Sequence, residues 1–193
     1  RETPPGTRHR YAGMDTQALA MLVAAATGKS LAAYLEAELW GPLGMQHDAF
    51  WTTDSDGVEL ALGGLNATAL DFAKLGELYR RGGRWQGRQI LPADGVRASL
   101  APDAPHLVPG PNELSQYTQG YGYQRWLLDG GQGDYSAIGI YNQFVYAHPA
   151  HKTVIVKLSA NRSYAQDDSP RSYRELETFE LFRKIAGAVS QTE

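Results

Sequence analysis

Tyr135-Ser136-Ala137-Ile138-Gly139-Ile140-Tyr141-Asn142-Gln143-Phe144-Val145-Tyr146-Ala147-His148 is the stretch that decides the fold class. Its aromatic and β-branched residues recur with a period of two, the spacing of a strand that shows one face to a core. Residues 135–140 and 143–148 read as two strands, with a tight turn near Tyr141-Asn142. A connection that short requires antiparallel neighbours. Working outward, residues 153–158 form a third strand after Pro149-Ala150, and residues 121–127 a fourth before Gly130-Gly131. Residues 175–189 follow with a helical period, with Leu176, Phe179, Leu181, Phe182 and Ile185 apolar.

The first half of the chain has the opposite rhythm. Residues 1–10 are polar with two prolines and read as loop. Residues 17–26 are rich in Ala, Leu and Met, all good helix formers, with Asp15 or Thr16 as cap and Gly28 as stop. Ser30 caps a second helix, 31–40, which Gly41-Pro42 ends. Residues 45–58 read as loop. Asn66 or Thr68 caps a third helix over 69–81. A hairpin around Gln86-Gly87 and a short helix over 92–100 follow, and then a long Pro-rich loop over 101–119. The expected class is α+β: an antiparallel sheet flanked by helices. A mainly helical region, 1–100, precedes a region of strands and a closing helix, 121–193.

Composition narrows the function. The chain has 193 residues and a formal net charge of -3, with both signs spread along it. Nucleic-acid binding needs clustered Lys and Arg, so that partner is not expected. Cysteine is absent, which removes thiolate nucleophiles, disulfides and cysteine-based zinc sites. No apolar run approaches the roughly 18 to 20 residues of a membrane span.

Four short motifs have ordinary explanations. Gly28-Lys29-Ser30 ends like a phosphate-binding loop, but Val23 stands where that loop needs glycine, and a helix precedes it. In Gly133-Asp134-Tyr135-Ser136-Ala137-Ile138-Gly139 both glycines lie one residue too far from Ser136 for a nucleophile elbow, so Ser136 reads as a strand residue. His148-Pro149-Ala150-His151 fits a turn better than a metal site. Asp134, Asp167 and Asp168 read as solvated turn residues. Tyr11 is different in interest: a phenol becomes a base near neutral pH only beside a cation.

Two longer stretches carry a resemblance. Pro4 to Thr16, with Pro5-Gly6-Thr7 and Tyr11, runs on through Thr27-Gly28 to Pro42-Leu43-Gly44-Met45. It is similar to the segment that holds the catalytic Tyr in class C β-lactamases, related carboxylesterases and 6-aminohexanoate-dimer hydrolases. Ala137 to Phe144, with Val154-Ile155-Val156-Lys157-Leu158-Ser159, resembles that family's inner strand and the strand after it. Gly63-Gly64-Leu65 with Thr68, Asp71, Ala73 and Gly76, and Tyr121-Gly122-Tyr123 with Trp126, fill the space between. The resemblance implies a partial β-lactamase/transpeptidase-like fold and a serine hydrolase of the penicillin-recognising group.

By that resemblance Tyr11 is the phenolate or phenol that shuttles the proton, with the family's Lys as its activating cation, and the backbone N–H of Ile140 is half of an oxyanion hole. Gly139 lets the strand approach the substrate, and Trp126 and Tyr141 are weaker pocket candidates. No cofactor or metal is implied. The family's nucleophile is the Ser of Ser-x-x-Lys, and no Ser in this sequence has Lys three residues later. The expectation is that this motif comes from a missing N-terminal segment or a partner chain, and that the chain alone is inactive and short of core partners. β-Lactamases of the family carry Asn two residues after the Tyr, and a Lys-Thr-Gly strand. Gly13 and Ala137-Ile138-Gly139 stand there instead. The implied substrates are therefore small linear amides or esters. A true β-lactamase and a non-catalytic ligand-binding module are the alternatives.

Overall fold

The computed structural model describes residues 3–167 and 170–190. Asp168, named above, and the first two residues of the loop read over 1–10 lie outside the described residues. The elements run in chain order as α1 (Gly13–Thr27), α2 (Leu31–Leu35) with a π-helical turn (Glu36–Trp40), β1 (Phe50–Trp51), β2 (Leu65–Asn66), α3 (Ala69–Arg80), β3 (Arg84–Trp85), β4 (Arg88–Gln89), α4 (Ala93–Ser99), β5 (Gly120–Gly122), β6 (Arg125–Leu127), β7 (Tyr135–Gly139), β8 (Gln143–His148), β9 (Thr153–Lys157), α5 (Pro170–Tyr173) and α6 (Glu175–Ser190). The fold is the α+β arrangement expected: a five-stranded antiparallel meander, β5-β6-β7-β8-β9, between helices.

The sheet is covered on both faces, and the alternation of β8 explains how. Phe144 and Tyr146 point to one face. There they join Leu128, Phe179 and Phe182, so α6 closes that side. Ala147 points to the other and packs with Leu127, Tyr135 and the flanking Tyr79 and Val154, so α3 closes that one. Gly76 brings α3 close. A Cβ there would lie 2.7 Å from Val154 Cγ1 and 2.9 Å from Val145 Cγ1.

The sequence reading needs several corrections. Residues 121–127 are two strands, not one. The chain reverses at Tyr123-Gln124, with Gln124 at φ 60. Gly122 then passes so near α4 that a Cβ would meet Ser99 O at 1.8 Å. The sheet therefore has five strands rather than four. The first helix begins at Gly13, and its N-cap Ala12 offers no side-chain bond. Thr16 does not cap it, because its hydroxyl donates to Gln124 Oε1 at 2.9 Å. Gly28 does stop it, at φ 67, with its N–H bonded to Ala24 O.

Ser30 caps α2 as expected, accepting from Ala33 N. Its last turn is a π-turn, closed by Gly41 N donating to Glu36 O. Thr68, not Asn66, caps α3. Asn66 lies in β2, whose pairing with Phe50–Trp51 gives the expected loop 45–58 a short strand. Within the long loop 101–119, Pro105–Leu107 forms a turn of 3-10 helix. On α6, Phe179 and Phe182 are buried as the period predicts, but Leu176, Leu181 and Ile185 are exposed.

Asp134 is a larger correction. It is buried, not solvated. Its carboxylate accepts from Tyr146 OH at 2.9 Å and from Arg183 Nε at 2.7 Å. Arg183 also donates to Asp129 O. A carboxylate can leave water at low cost only when a cation and further donors replace it, and this one has both.

Candidate active site

Tyr11 stands on a short extended segment just before α1. Four contacts fix that segment and the helix behind it. His9 N donates to Leu114 O at 2.8 Å, and the Arg8 guanidinium donates to Glu113 O at 2.8 Å. Gln17 Nε2 donates to Glu59 O at 2.9 Å, while Gln17 Oε1 accepts from Ala61 N at 2.8 Å. The long loop 101–119 and the loop 59–61 thus hold the Tyr segment against the open end of the sheet.

The Tyr11 segment, the start of α1, the loop with Ala61 and Leu62, and the sheet frame a cleft of about 230 Å³. Tyr11, Trp126, Tyr121, Gln124, Leu62 and Ile138 are among its walls. The rings of Tyr11 and Trp126 are 5.4 Å apart, and Tyr11 meets Tyr121 edge-on at 6.1 Å. Gln124 Oε1 accepts from both Thr16 and Tyr121, which ties α1 to the β5–β6 turn beneath the phenol. Among the described residues no hydrogen bond engages the Tyr11 hydroxyl. Gly13 borders the same cleft, since a Cβ there would lie 3.4 Å from Leu62 Cβ.

Two of the predicted residues, Tyr11 and Trp126, therefore meet in one cleft. Gly139, Ile140 and Tyr141 lie at the end of β7, just past the wall residues Ala137 and Ile138. Ile140 begins a one-turn 3-10 segment and lies beyond the last ladder pair, Gly139 with Gln143. Tyr141 and Asn142 take left-handed backbone angles, φ 59 and 65, to reverse the chain there. Gly139 has a structural reason of its own. A Cβ there would sit 3.0 Å from Gln143 Cβ across the ladder. Gln143 in turn bonds Ser159 through both ends of its amide.

Tyr121 in the cleft wall, and His9 and Tyr117 packed against the wall rings, are residues that sequence reasoning missed. His9 is buried and stacks on Tyr121 at 5.0 Å, with Tyr117 at 5.6 Å and Trp126 at 5.9 Å. Its Nδ1 lies 3.3 Å from Ser115 Oγ, and its Nε2 has no partner among the described residues. Burial, and then the nearby His106, lower its pKa and favour the neutral ring. Burial pushes the Tyr121 phenol up to about 12, with Tyr11 adding to the shift. Only the sequence position of His9, two residues before Tyr11, hinted at this aromatic backing.

A profile of the Beta-lactamase family matches residues 1–180. A 6-aminohexanoate-dimer hydrolase of Paenarthrobacter ureafaciens is 32% identical over 152 residues, covering 78% of this chain and 39% of that protein. Among solved structures, a Bacillus anthracis protein provisionally assigned as a 6-aminohexanoate-dimer hydrolase superposes with a TM-score of 0.85 at 30% identity. The match covers 98% of this chain and 46% of that one. A β-lactamase from Mycobacterium bovis shares the fold, with a TM-score of 0.67 at 19% identity, over 97% of this chain and 65% of that one. The chain thus spans less than half the length of its 6-aminohexanoate-dimer hydrolase relatives, and on the family profile and these likenesses it belongs to the Beta-lactamase family.

Proposed function

We propose that these residues form the proton-transferring wall and one oxyanion donor of a serine hydrolase that cleaves small linear amides or esters by acyl transfer. The observation that carries this reading is Tyr11, with its hydroxyl unbonded among the described residues, in a cleft whose β7 wall leads directly to Ile140. The nucleophilic Ser and its Lys come from residues outside these 193, in a further segment or a partner chain. Serine Oγ attacks the substrate carbonyl as Tyr11 phenolate, kept charged by that Lys, accepts its proton. The N–H of Ile140 and that of the serine stabilise the resulting oxyanion. The C–N or C–O bond breaks as Tyr11 returns the proton to the leaving amine or alcohol. Water then opens the acyl-serine by the same route.

Gly13 and the Ala137-Ile138-Gly139 stretch favour linear substrates over lactams, because no cation stands on β7 to grip a lactam carboxylate. The test is Tyr11→Phe in the complete hydrolase, meaning the protein that carries this chain together with its nucleophile. The expected loss of kcat/KM on an ester or anilide is about 10²- to 10⁴-fold. Full activity in the variant would overturn the role of Tyr11. The absence of Ser-x-x-Lys from these residues favours one second reading, a ligand-binding relative without chemistry. Failure of a fluorophosphonate to label the complete, folded protein would establish that reading. Rapid nitrocefin turnover would establish a β-lactamase instead.

A further inference from the structure

A second cavity adjoins the Tyr11 cleft, and at about 520 Å³ it is the larger of the two. Leu19 of α1, Ala101 and Leu107 of the long loop, and Tyr123 of the β5–β6 turn wall it. Tyr121 and Gln124 line both spaces, so those two residues stand between them. Asp103 brings the only formal charge among the wall residues, and it is exposed. A concave, mainly apolar space of this size is the ordinary form of a small-molecule pocket.

The walls are held in place. Gln124 Oε1 accepts from the Tyr121 hydroxyl at 3.2 Å and from Thr16 Oγ1 at 2.9 Å, and the Tyr121 ring stacks on His9 at 5.0 Å. In the long loop, Asn112 Nδ2 donates to Pro105 O at 2.7 Å. Leu107 O comes so close to β5 that a Cβ on Gly120 would lie 2.5 Å from it.

The order of strands gives the cavity a direction. β5-β6-β7 runs from Tyr121 through Trp126 to the cleft residues Ala137 and Ile138, and Ile140 follows β7. The second cavity lies against β5, through Tyr121 and Gly122. Two strand spacings, about 10 Å in all, separate β5 from β7. The ring of Tyr11 meets Tyr121 of β5 at 6.1 Å and Trp126 of β6 at 5.4 Å. In acyl transfer the oxyanion donor marks the carbonyl oxygen, and the phenol that returns the proton marks the leaving atom. The leaving group, rather than the acyl chain, therefore points toward the second cavity.

We propose that this cavity is a leaving-group pocket, which takes the uncharged alkyl or aryl end of the alcohol or amine that departs with the Tyr11 proton. Each methylene buried there is apolar area removed from water. A chain that ends in a carboxylate gains less, because it gives up hydration to an apolar wall and meets the charge of Asp103. Leu19 and Leu107 are the specificity-determining residues: a larger side chain fills the space, and a smaller one extends it.

This inference rests on the acyl-transfer reading above, and the experiment separates the two. In the complete hydrolase, kcat/KM is measured for ethyl acetate, hexyl acetate, ethyl hexanoate and 6-acetoxyhexanoate. Ethanol and hexanol leave equally well in water, so the hexyl-to-ethyl ratio reads the pocket. Hexyl acetate is expected to exceed ethyl acetate by about tenfold or more, the scale of added methylenes in an apolar site. 6-Acetoxyhexanoate should fall below hexyl acetate, and equal values would overturn the apolar character. Leu19 is 48% exposed, so replacing it leaves the core intact. Leu19→Trp should bring the hexyl-to-ethyl ratio close to one, and Leu19→Ala should move the preference toward octyl acetate. A wild-type ratio near one, as when a side chain of the nucleophile-bearing segment fills the space, would overturn the pocket. So would a ratio that Leu19→Trp leaves unchanged. A gain with ethyl hexanoate that Leu19→Trp removes would overturn the leaving-group assignment. If the wild type cleaves none of the esters, the acyl-transfer reading fails on its own, and methyl NMR with 1-hexanol decides the pocket. Shifts of the Leu19 and Leu107 methyls that ethanol at equal concentration does not produce support it, and their absence overturns it.

Discussion

The sheet and the first helix are both strongly apolar, yet they stand in opposite conditions. β8 alternates, and each face of the sheet meets a helix built to cover it, α6 over Phe144 and Tyr146 and α3 over Ala147. α1 is apolar almost all round, without a polar face to turn toward water. Of its residues only Ala20 is buried, while Met14, Met21 and Leu22 are 67%, 64% and 64% exposed. A helix of that composition is the kind that packs on several sides. The alternation of β8 is thus matched by contacts within the described residues, and the uniform apolarity of α1 is not. Substitutions in the two regions should therefore cost very different amounts.

The largest cost belongs to the closed side. Phe182 is buried among Leu128, Phe144, Tyr146 and Phe179, and its ring meets Phe144 edge-on at 5.8 Å. Phe182→Ala should destabilise the chain by about 4 kcal/mol, from lost transfer energy and the cavity left behind. Urea unfolding measures it. A loss under about 1 kcal/mol would mean that the sheet–α6 core is no better packed than α1, and the contrast would vanish.

What the sequence made legible follows the same division. The β7–β8 hairpin could be read because alternation is local, and its turn residues sit between two clean runs. Thr68 and Ser30 could be read as caps for the same reason: each bonds an N–H three residues on. The β5–β6 reversal could not, because Gln124 takes its left-handed turn without Gly, Asn or Asp to mark it. Asp134 was misread because its cation, Arg183, stands 49 residues later. In the candidate site, Tyr11 drew notice through a family likeness rather than through its chemistry. The backing by His9 stayed hidden because Ser115 is 106 residues away and Tyr117 and Tyr121 lie farther still.

A smaller effect tests the closed side by pH. His148, the last residue of β8, is buried, with Nε2 3.2 Å from Gln132 Oε1 and its ring 4.3 Å from that of His151. Burial, and then His151, lower its pKa below the ordinary 6.5. The sign follows directly. The unfolded chain takes up the proton near pH 6.5 and the folded chain only at lower pH, so stability is full above 6.5 and falls as pH drops toward the folded value. One such proton gives a slope of at most about 1.4 kcal/mol per pH unit. Urea midpoints between pH 7.5 and 5.5 should fall, and His148→Gln should flatten that fall. An equal slope in the variant would assign the pH dependence elsewhere, with His9, also lowered by burial, as the next group to substitute.

The smallest effect belongs to the open side. Met21→Ala and Leu22→Ala remove side chains that already stand in water, and alanine is the better helix former. In the chain alone each should change stability by no more than about 0.5 kcal/mol. A loss of about 2 kcal/mol or more there would mean that a second copy already covers α1 in solution, and the midpoint would then depend on protein concentration. If the nucleophile-bearing segment proposed above packs on this face, the same substitutions in the complete hydrolase should cost about 2 to 5 kcal/mol, because each then leaves a cavity. The difference between the two measurements would give the share of α1 packing that comes from outside these residues. Small losses in both would mean that its apolar face serves something other than the hydrolase core.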